Sequence, residues 1–219
     1  MHNINKIDLH VHSTFSDGSN SPEEVVRYAI FNGYEQLAIV DHVRRTSDWI
    51  DKFAVEITRL KNVYQGQIIL YSGIEAKVIN FNGDVDARPE FFPKVDLVLG
   101  AFHRIPKGPE EYMSDAEIAQ NKNKALEFWF ICFMKLLENH FVHIVAHPTA
   151  ILKRHDINVP RDMKNNIAEA AAIHGKIVEV NSKYQVPDKE FIGILQANNV
   201  KLSFGSDSHS LGEMRSFTI

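Results

Sequence analysis

The sequence predicts an α/β fold in which seven parallel strands alternate with helices and close into a barrel. Two observations carry this. Seven short apolar, β-branched runs recur along the 219 residues, and helical patterns with their own start and stop signals lie between them. Parallel strands joined through helices require right-handed crossovers. Seven such units in a chain of this length favour closure over an open sheet. No repeat, low-complexity stretch or linker divides the chain, so a single domain over 1–219 is expected.

The runs are IDLHVH (7–12), LAIVDH (37–42), IILYSGIEAKVI (68–79), DLVLGAFH (96–103), HIVAHP (143–148), KIVEVNS (176–182) and KLSFGSDSH (201–209). The first helix is predicted over 21–33: Ser21 caps it, Pro22 opens it, Glu24 completes a capping box and Gly33 stops it. Further helices are predicted over 47–66, 114–140, 160–175 and 187–199. The third strand is expected to run into a hairpin through Asn82-Gly83, a pair suited to positive φ. Within 114–140 the run FWFICFM is apolar all round, which fits a buried helix or an interface in a homo-oligomer.

Composition excludes several classes of function. Net charge is −4 with histidine neutral, so no basic field draws the chain to nucleic acid or anionic lipid. The longest apolar run is far too short to span a membrane. The opening MHNINKIDLH lacks the basic and apolar segments of a signal peptide. The one cysteine, Cys132, rules out an internal disulfide and fits a reducing, cytoplasmic setting; it reads as a core residue.

The eleven histidines are informative because of where they fall. In an α/β barrel the C-terminal strand ends carry the chemistry. Here the first ends in His10 and His12, the second in His42, and the third carries Glu75. The fourth ends in His103, the fifth in His147, and the last in Asp207 and His209, while Asp17 follows the first strand. Pleating puts Asp8, His10 and His12 on one face and Ile7, Leu9 and Val11 on the other. Converging buried imidazoles and carboxylates would each cost a few kcal/mol without compensation (about 2 or more), so cations are expected among them. Imidazole and carboxylate without thiolate suits Zn²⁺, Mn²⁺ or Fe²⁺. Nine candidate ligands exceed the needs of one or two ions, and three is the natural count. Ions that close together bridge and deprotonate a water, then clamp the oxygens of an in-line displacement.

The segments DLHVHSTFSDG, VDH, GIEA, FH, AHP and GSDSH, in that order, resemble the polymerase and histidinol phosphatase (PHP) family of metal-dependent phosphoesterases over about residues 7–209. The resemblance implies a distorted seven-stranded, TIM-like barrel with a trinuclear site. Carried over, His10, His12, Glu75 and Asp207 hold the first ion. Asp17, His42 and His209 hold the second, and Glu75, His103 and His147 the third. One departure is that only SLGEMRSFTI follows the last strand, which leaves that strand's outer face without the usual helix.

Other residues read more modestly. Glu179, Asn181 and Asp8 point inward and are expected to support ligands; Asp41, on the opposite pleat from His42, is expected to be structural. His2 is terminal, His140 and His174 sit at helix ends, His155 follows AHP, and His143 is expected inside the fifth strand as a hydrogen-bonded group. Arg44, Arg45, Arg104, Arg154 and Lys183 lie beyond strand ends, with Arg154, Lys183 and Arg44 the candidates for phosphate binding. The expected activity is hydrolysis of a small phosphomonoester, as in histidinol-phosphate phosphatase. A nucleotide or oligonucleotide phosphodiesterase is the alternative within the family. An amidohydrolase-like barrel would want a bridging lysine at a strand end, which is missing; a non-catalytic metal-binding barrel is the remaining reading.

Overall fold

A computed structural model describes residues 7–214; His2 and the last residues of the C-terminal tail lie outside them. Strands β1 (Ile7–Val11), β2 (Gln36–Val43), β3 (Ile69–Lys77) and β4 (Leu97–Ala101) pair in parallel and in chain order. A separate antiparallel ribbon, β5 (Pro106–Gly108) with β6 (Glu111–Tyr112), then interrupts the series. The main sheet continues through β7 (Ile144–Ala146), β8 (Ile177–Asn181) and β9 (Lys201–Gly205), giving seven parallel strands. Closure is nearly complete. Instead of a ladder between β9 and β1, Asp207 N–H donates to the His10 carbonyl (2.8 Å) and His12 N–H to the Ser208 carbonyl (2.9 Å).

Local signals explain most helices. In α1 (Pro22–Phe31) the Ser21 capping box forms as predicted, and Val25, Val26 and Ala29 are buried. Helix α2 (Ile50–Val63) starts later than the pattern suggests, at Trp49, which offers no side-chain cap. The single long helix predicted over 114–140 is two: α3 (Asp115–Gln120) and α4 (Lys122–Glu138). Asn121 leaves the helical region (φ −145°, ψ 77°) and turns its side chain onto Lys124 N–H, capping a new helix. A short α5 (Ala150–Arg154) follows β7 and has no cap signature. Helices α6 (Arg161–Ile173) and α7 (Lys189–Ala197) complete the outer layer, with Asp188 capping α7.

Between β3 and β4 no α-helix forms. The chain turns at Asn82-Gly83, with Ile79 N–H donating to Asp84 O and Asp86 N–H to Lys77 O, then descends through a 3₁₀ turn at Pro89–Lys94. Gly83 has φ +74° and lies against the backbone of Lys135 and Leu136, where a Cβ would collide. Inside the barrel Ala38, Val40, Leu99, Ala101, Ile144 and Ala146 pack together. Outside, Trp129, Cys132, Phe133 and Leu136 bury one face of α4, and burial pushes the Cys132 thiol up to about 12. The predicted all-round burial of FWFICFM therefore holds for one face only, since Ile131 is 40% exposed. The outer face of β9 is partly covered: Leu202 packs against the larger core. Leu211 and Met214 close over the cluster between β1 and α1.

Candidate metal centre

Each of the nine candidate side chains sits at or just past the C-terminal end of a strand. The simple alternation expected on β1 is broken by a bulge between Asp8 and Val11: Asp8 takes the register of Leu37 on the helix-facing side, Leu9 packs on the inner cluster, and His10 turns to Glu179. Asp8 accepts from Ser206 N–H (2.9 Å) and His10 N–H (3.2 Å), and burial pushes its carboxyl up to about 7 against these bonds. Parallel register sets Glu75 on β3 beside His42 on β2. Glu75 is the hub: its oxygens lie 2.7 Å from His42 Nδ1, 2.8 Å from His147 Nε2 and 3.2 Å from His103 Nε2. His10 Nε2 and His12 Nε2 stand further off, at 3.7 and 3.9 Å. Asp17 reaches His209 Nε2 (3.4 Å), His42 Nε2 (3.6 Å) and His12 Nδ1 (3.9 Å), while Asp207 meets His12 Nε2 at 3.0 Å.

Donor atoms fall into three overlapping groups, each within 4.8 Å: His12, Asp17, His42 and His209; His10, His12 and Asp207; and His42, Glu75 and His103. His147 joins the last through Glu75. Several of these atoms are buried without a hydrogen-bond partner: His10 Nε2, His12 Nδ1, Glu75 Oε2 and His147 Nδ1. His42 Nδ1 is near Glu75 Oε2 but outside hydrogen-bond direction. Orphaned, inward-facing imidazole nitrogens beside a carboxylate fit divalent transition ions, whose bonds would replace the lost hydration.

The electrostatics have the same character. Burial alone would raise Glu75, yet His103 and His10 hold its carboxyl well below the usual range. Burial alone would lower His10, yet Glu179 and Glu75 hold it well above. His12 is lowered, chiefly by burial. Asp207 is held low by its hydrogen bond to His12 despite burial. His147 and Asp207 occupy the left-handed backbone region (φ +29° and +52°), a strain that tight functional turns tolerate.

Supporting residues are equally placed. Glu179 accepts from His10 Nδ1 (2.8 Å), His147 N–H (2.5 Å) and Asn181 Nδ2 (3.2 Å), as the inward pleat of β8 predicts. Gly205 makes room for it: a Cβ there would collide with Glu179 and His10. Asp41 does more than the structural role predicted. Its carboxylate takes Ser13 N–H (2.9 Å), Ser13 Oγ (2.6 Å), Ser16 N–H (3.2 Å) and Ser16 Oγ (2.6 Å), so it fastens the loop that delivers Asp17. The serines in HSTFS were the available signal. His143 departs from expectation: it is exposed at the opposite end of the barrel, where its ring accepts from Val98 N–H (3.0 Å).

The predicted phosphate-binding cations differ in setting. Lys183 Nζ donates to the Asp207 carbonyl (3.1 Å) and lies 3.7 Å from its carboxylate. Arg44 lines a cavity of about 420 Å³ with Asp17, His42, Lys77, Asp86 and His103. Arg45 is paired with Glu110 (2.7 Å), and Arg104 stands over the Tyr112 ring (5.8 Å). Arg154 lines a second cavity of about 370 Å³ with His103, His147, Ile151 and Tyr184. Tyr184, which sequence reasoning missed, sets its ring edge-on to His147 with centroids 5.4 Å apart.

Fold and site together define an α/β barrel whose mouth is lined by histidine and carboxylate. The chain belongs to the PHP domain family, whose model matches residues 8–183. Over 96% of its length it is 28% identical to a protein named "Probable phosphatase" from Acetivibrio thermocellus, covering 82% of that relative. It is 27% identical over 94% of its length to DNA polymerase/3'-5' exonuclease PolX of Bacillus subtilis, of which it covers 34%. Among solved structures it is similar to histidinol phosphate phosphatase from Lactococcus lactis, complexed with zinc, L-histidinol and phosphate. That match has a TM-score of 0.69 and 19% identity, covering 94% of this chain and 87% of the other.

Proposed function

We propose that this chain is a metal-dependent phosphoesterase acting on a small phosphomonoester. The observation that carries the reading is the set of buried atoms without a hydrogen-bond partner, His10 Nε2, His12 Nδ1 and Glu75 Oε2, in side chains that belong to three overlapping groups of donors. His10, His12, Glu75 and Asp207 would hold one ion, Asp17, His42 and His209 a second, and Glu75, His103 and His147 a third, with zinc, manganese or iron suited to the donors. When bound, these ions supply Lewis acidity toward the phosphoryl oxygens and toward the water that attacks phosphorus.

The chain's own residues prepare the site. Glu179 takes the Nδ1 proton of His10, so the Nε2 lone pair faces the mouth. Asp41 holds the Asp17 loop, and Asp207 is presented by a strained turn. Lys183, beside Asp207, and Arg44, lining the cavity with Asp17 and His42, are the charges offered to the non-bridging phosphate oxygens. Water attack on phosphorus breaks the P–O bond to the alcohol, which leaves carrying a proton. The named phosphatase relatives and the zinc, histidinol and phosphate of the Lactococcus protein support this assignment. A cytoplasmic setting is proposed from the lone buried Cys132. Among the described residues no helix is long and apolar enough to cross a membrane.

The test is metal content by elemental analysis alongside turnover of phenyl phosphate, a bis-aryl phosphodiester and an N-acyl substrate. About three equivalents with phosphomonoester turnover supports the proposal. Turnover of the N-acyl substrate alone, or no metal and no turnover, overturns it.

A further inference from the structure

The mouth is divided at His103, which lines three cavities, and the two sides differ in charge. On the β2–β3 side, Asp17, Glu75 and Asp86 stand among Arg44 and Lys77. That side is mixed. On the α5 side, the cavity of about 370 Å³ has an apolar floor from Phe102, Ala150 and Ile151, with Tyr184 as a wall. It holds Arg154 and no carboxylate. It adjoins a cavity of about 400 Å³ that shares His103, Ile151 and Arg154 and adds Arg104. Among the described residues Asp115 is the one carboxylate lining this region; it is 84% exposed and faces His155 Nε2 at 3.3 Å.

Arg154 is free to act. No ion pair or hydrogen bond to its side chain is found among the described residues. Its backbone is fixed: α5 starts at Ala150, whose N–H donates to His147 O (2.9 Å), and Trp129 Nε1 holds the Pro148 carbonyl (3.2 Å). Lys153, one residue earlier, is spent on the Tyr184 and Gln185 carbonyls, which steadies the Tyr184 wall. Lys183 already supplies a cation beside Asp207, whereas Arg154 lines the α5-side cavity with His103, His147 and Tyr184. A guanidinium with five donors, over an apolar floor and without a competing carboxylate, selects an anion carried on a flat or apolar body. It repels an amine.

We propose that the alcohol portion of the substrate docks on the α5 side and that Arg154, backed by Arg104, selects phosphomonoesters whose leaving group carries a second negative charge, a carboxylate or another phosphate. This rests on the phosphomonoesterase reading and sharpens it: a leaving group with a free amine, such as histidinol, is disfavoured here.

Binding is measured with hydrolysis-resistant probes, so that it reads independently of turnover: phenylphosphonate, 4-carboxyphenylphosphonate and 4-(aminomethyl)phenylphosphonate, titrated calorimetrically into the metal-replete protein. The carboxylate should bind at least about tenfold more tightly than the amine. Arg154→Gln should collapse that ratio toward one, and Arg154→Lys should keep part of it. Equal weakening of all three in Arg154→Gln overturns the proposal, because Arg154 then serves the common phosphoryl group; so does a wild-type preference for the amine. 4-Phosphonophenyl phosphonate, tested in parallel, separates a second phosphate from a carboxylate as the preferred anion; binding of both no better than phenylphosphonate also overturns it. Turnover of the matching phosphate esters is recorded separately, and its absence refutes the phosphomonoesterase reading while leaving the binding preference measurable.

Discussion

The two ends of the barrel treat buried polar groups in opposite ways. At the N-terminal end of the strands they are satisfied. Lys176 is 7% exposed, and its ammonium donates to the Asn139 (2.6 Å) and Val142 (2.7 Å) carbonyls. Nearer the surface, Asp96 (39% exposed) accepts from Ser72 N–H (2.7 Å), Ser72 Oγ (2.8 Å) and Lys61 (2.6 Å). At the C-terminal end, imidazole and carboxylate atoms are equally buried and left without partners. Outside the mouth, among the described residues, His155 Nε2 and Ser203 Oγ share that state. One sequence thus builds a self-sufficient end and an end whose bonding the protein leaves incomplete, and the contrast points to the functional end without reference to any relative.

Mutations at the two ends should differ in what they damage. The largest effect is expected at the mouth: His10→Ala should abolish turnover and lower metal content, and should destabilise the metal-loaded protein more than the metal-free one, since it removes the unpartnered Nε2 together with the Nδ1 donor to Glu179. Calorimetry with and without chelator checks this. An equal loss in both states would mean that the mouth is already satisfied by protein contacts. Glu179→Gln should cost about 10–100-fold in metal affinity or activity, because His10 loses the carboxylate that orients it; competition with a metal-sensitive dye reads the affinity. Asp41→Asn should destabilise by roughly 2 kcal/mol, measured by urea unfolding, with faster amide exchange in 13–17. Unchanged exchange there would remove Asp41 from the role of loop fastener.

The smallest effect is expected at the closed end. Asp96→Asn should cost about 1 kcal/mol near neutral pH. The Lys61 and Ser72 partners hold the Asp96 carboxyl below its ordinary value despite burial. A depressed folded-state value means stability that is present above the unfolded-state pKa and lost as pH falls through the folded one. The gap between wild type and Asp96→Asn should therefore close below about pH 4. A gap that widens on acidification would contradict the assignment.

Much of this contrast was legible in the sequence because strand periodicity ties side-chain direction to residue number. Glu179 points inward for that reason, and the strand-end candidates lie at the mouth where a parallel barrel puts them, whereas Asp8 was misplaced because a bulge between Asp8 and Val11 breaks the alternation on β1. What was not legible depends on contacts between distant segments. Asn121 interrupts a helical pattern by capping the next helix, a choice between two local hydrogen bonds that periodicity does not record. The turn at Asn82-Gly83 forms as the sequence predicts, but its packing of Gly83 against the backbone of α4 was not legible. Asp41 looked structural on its own strand, and its part in placing Asp17 is visible only once the 13–16 loop folds over it. His143 was misplaced because its strand is shorter at the start than the apolar run, which leaves it outside the barrel.

The seam between β9 and β1 has a consequence for synthesis. His10 and His12 leave the ribosome early, but the groups that complete their surroundings, Asp207 and His209, arrive about two hundred residues later and are the same ones that stitch the barrel shut. A growing chain therefore cannot assemble the full set of donors before the last strand has emerged. On the proposed metal-binding reading, capture of cations would wait for the moment of closure, so that the final bonds that make the container also make its contents possible.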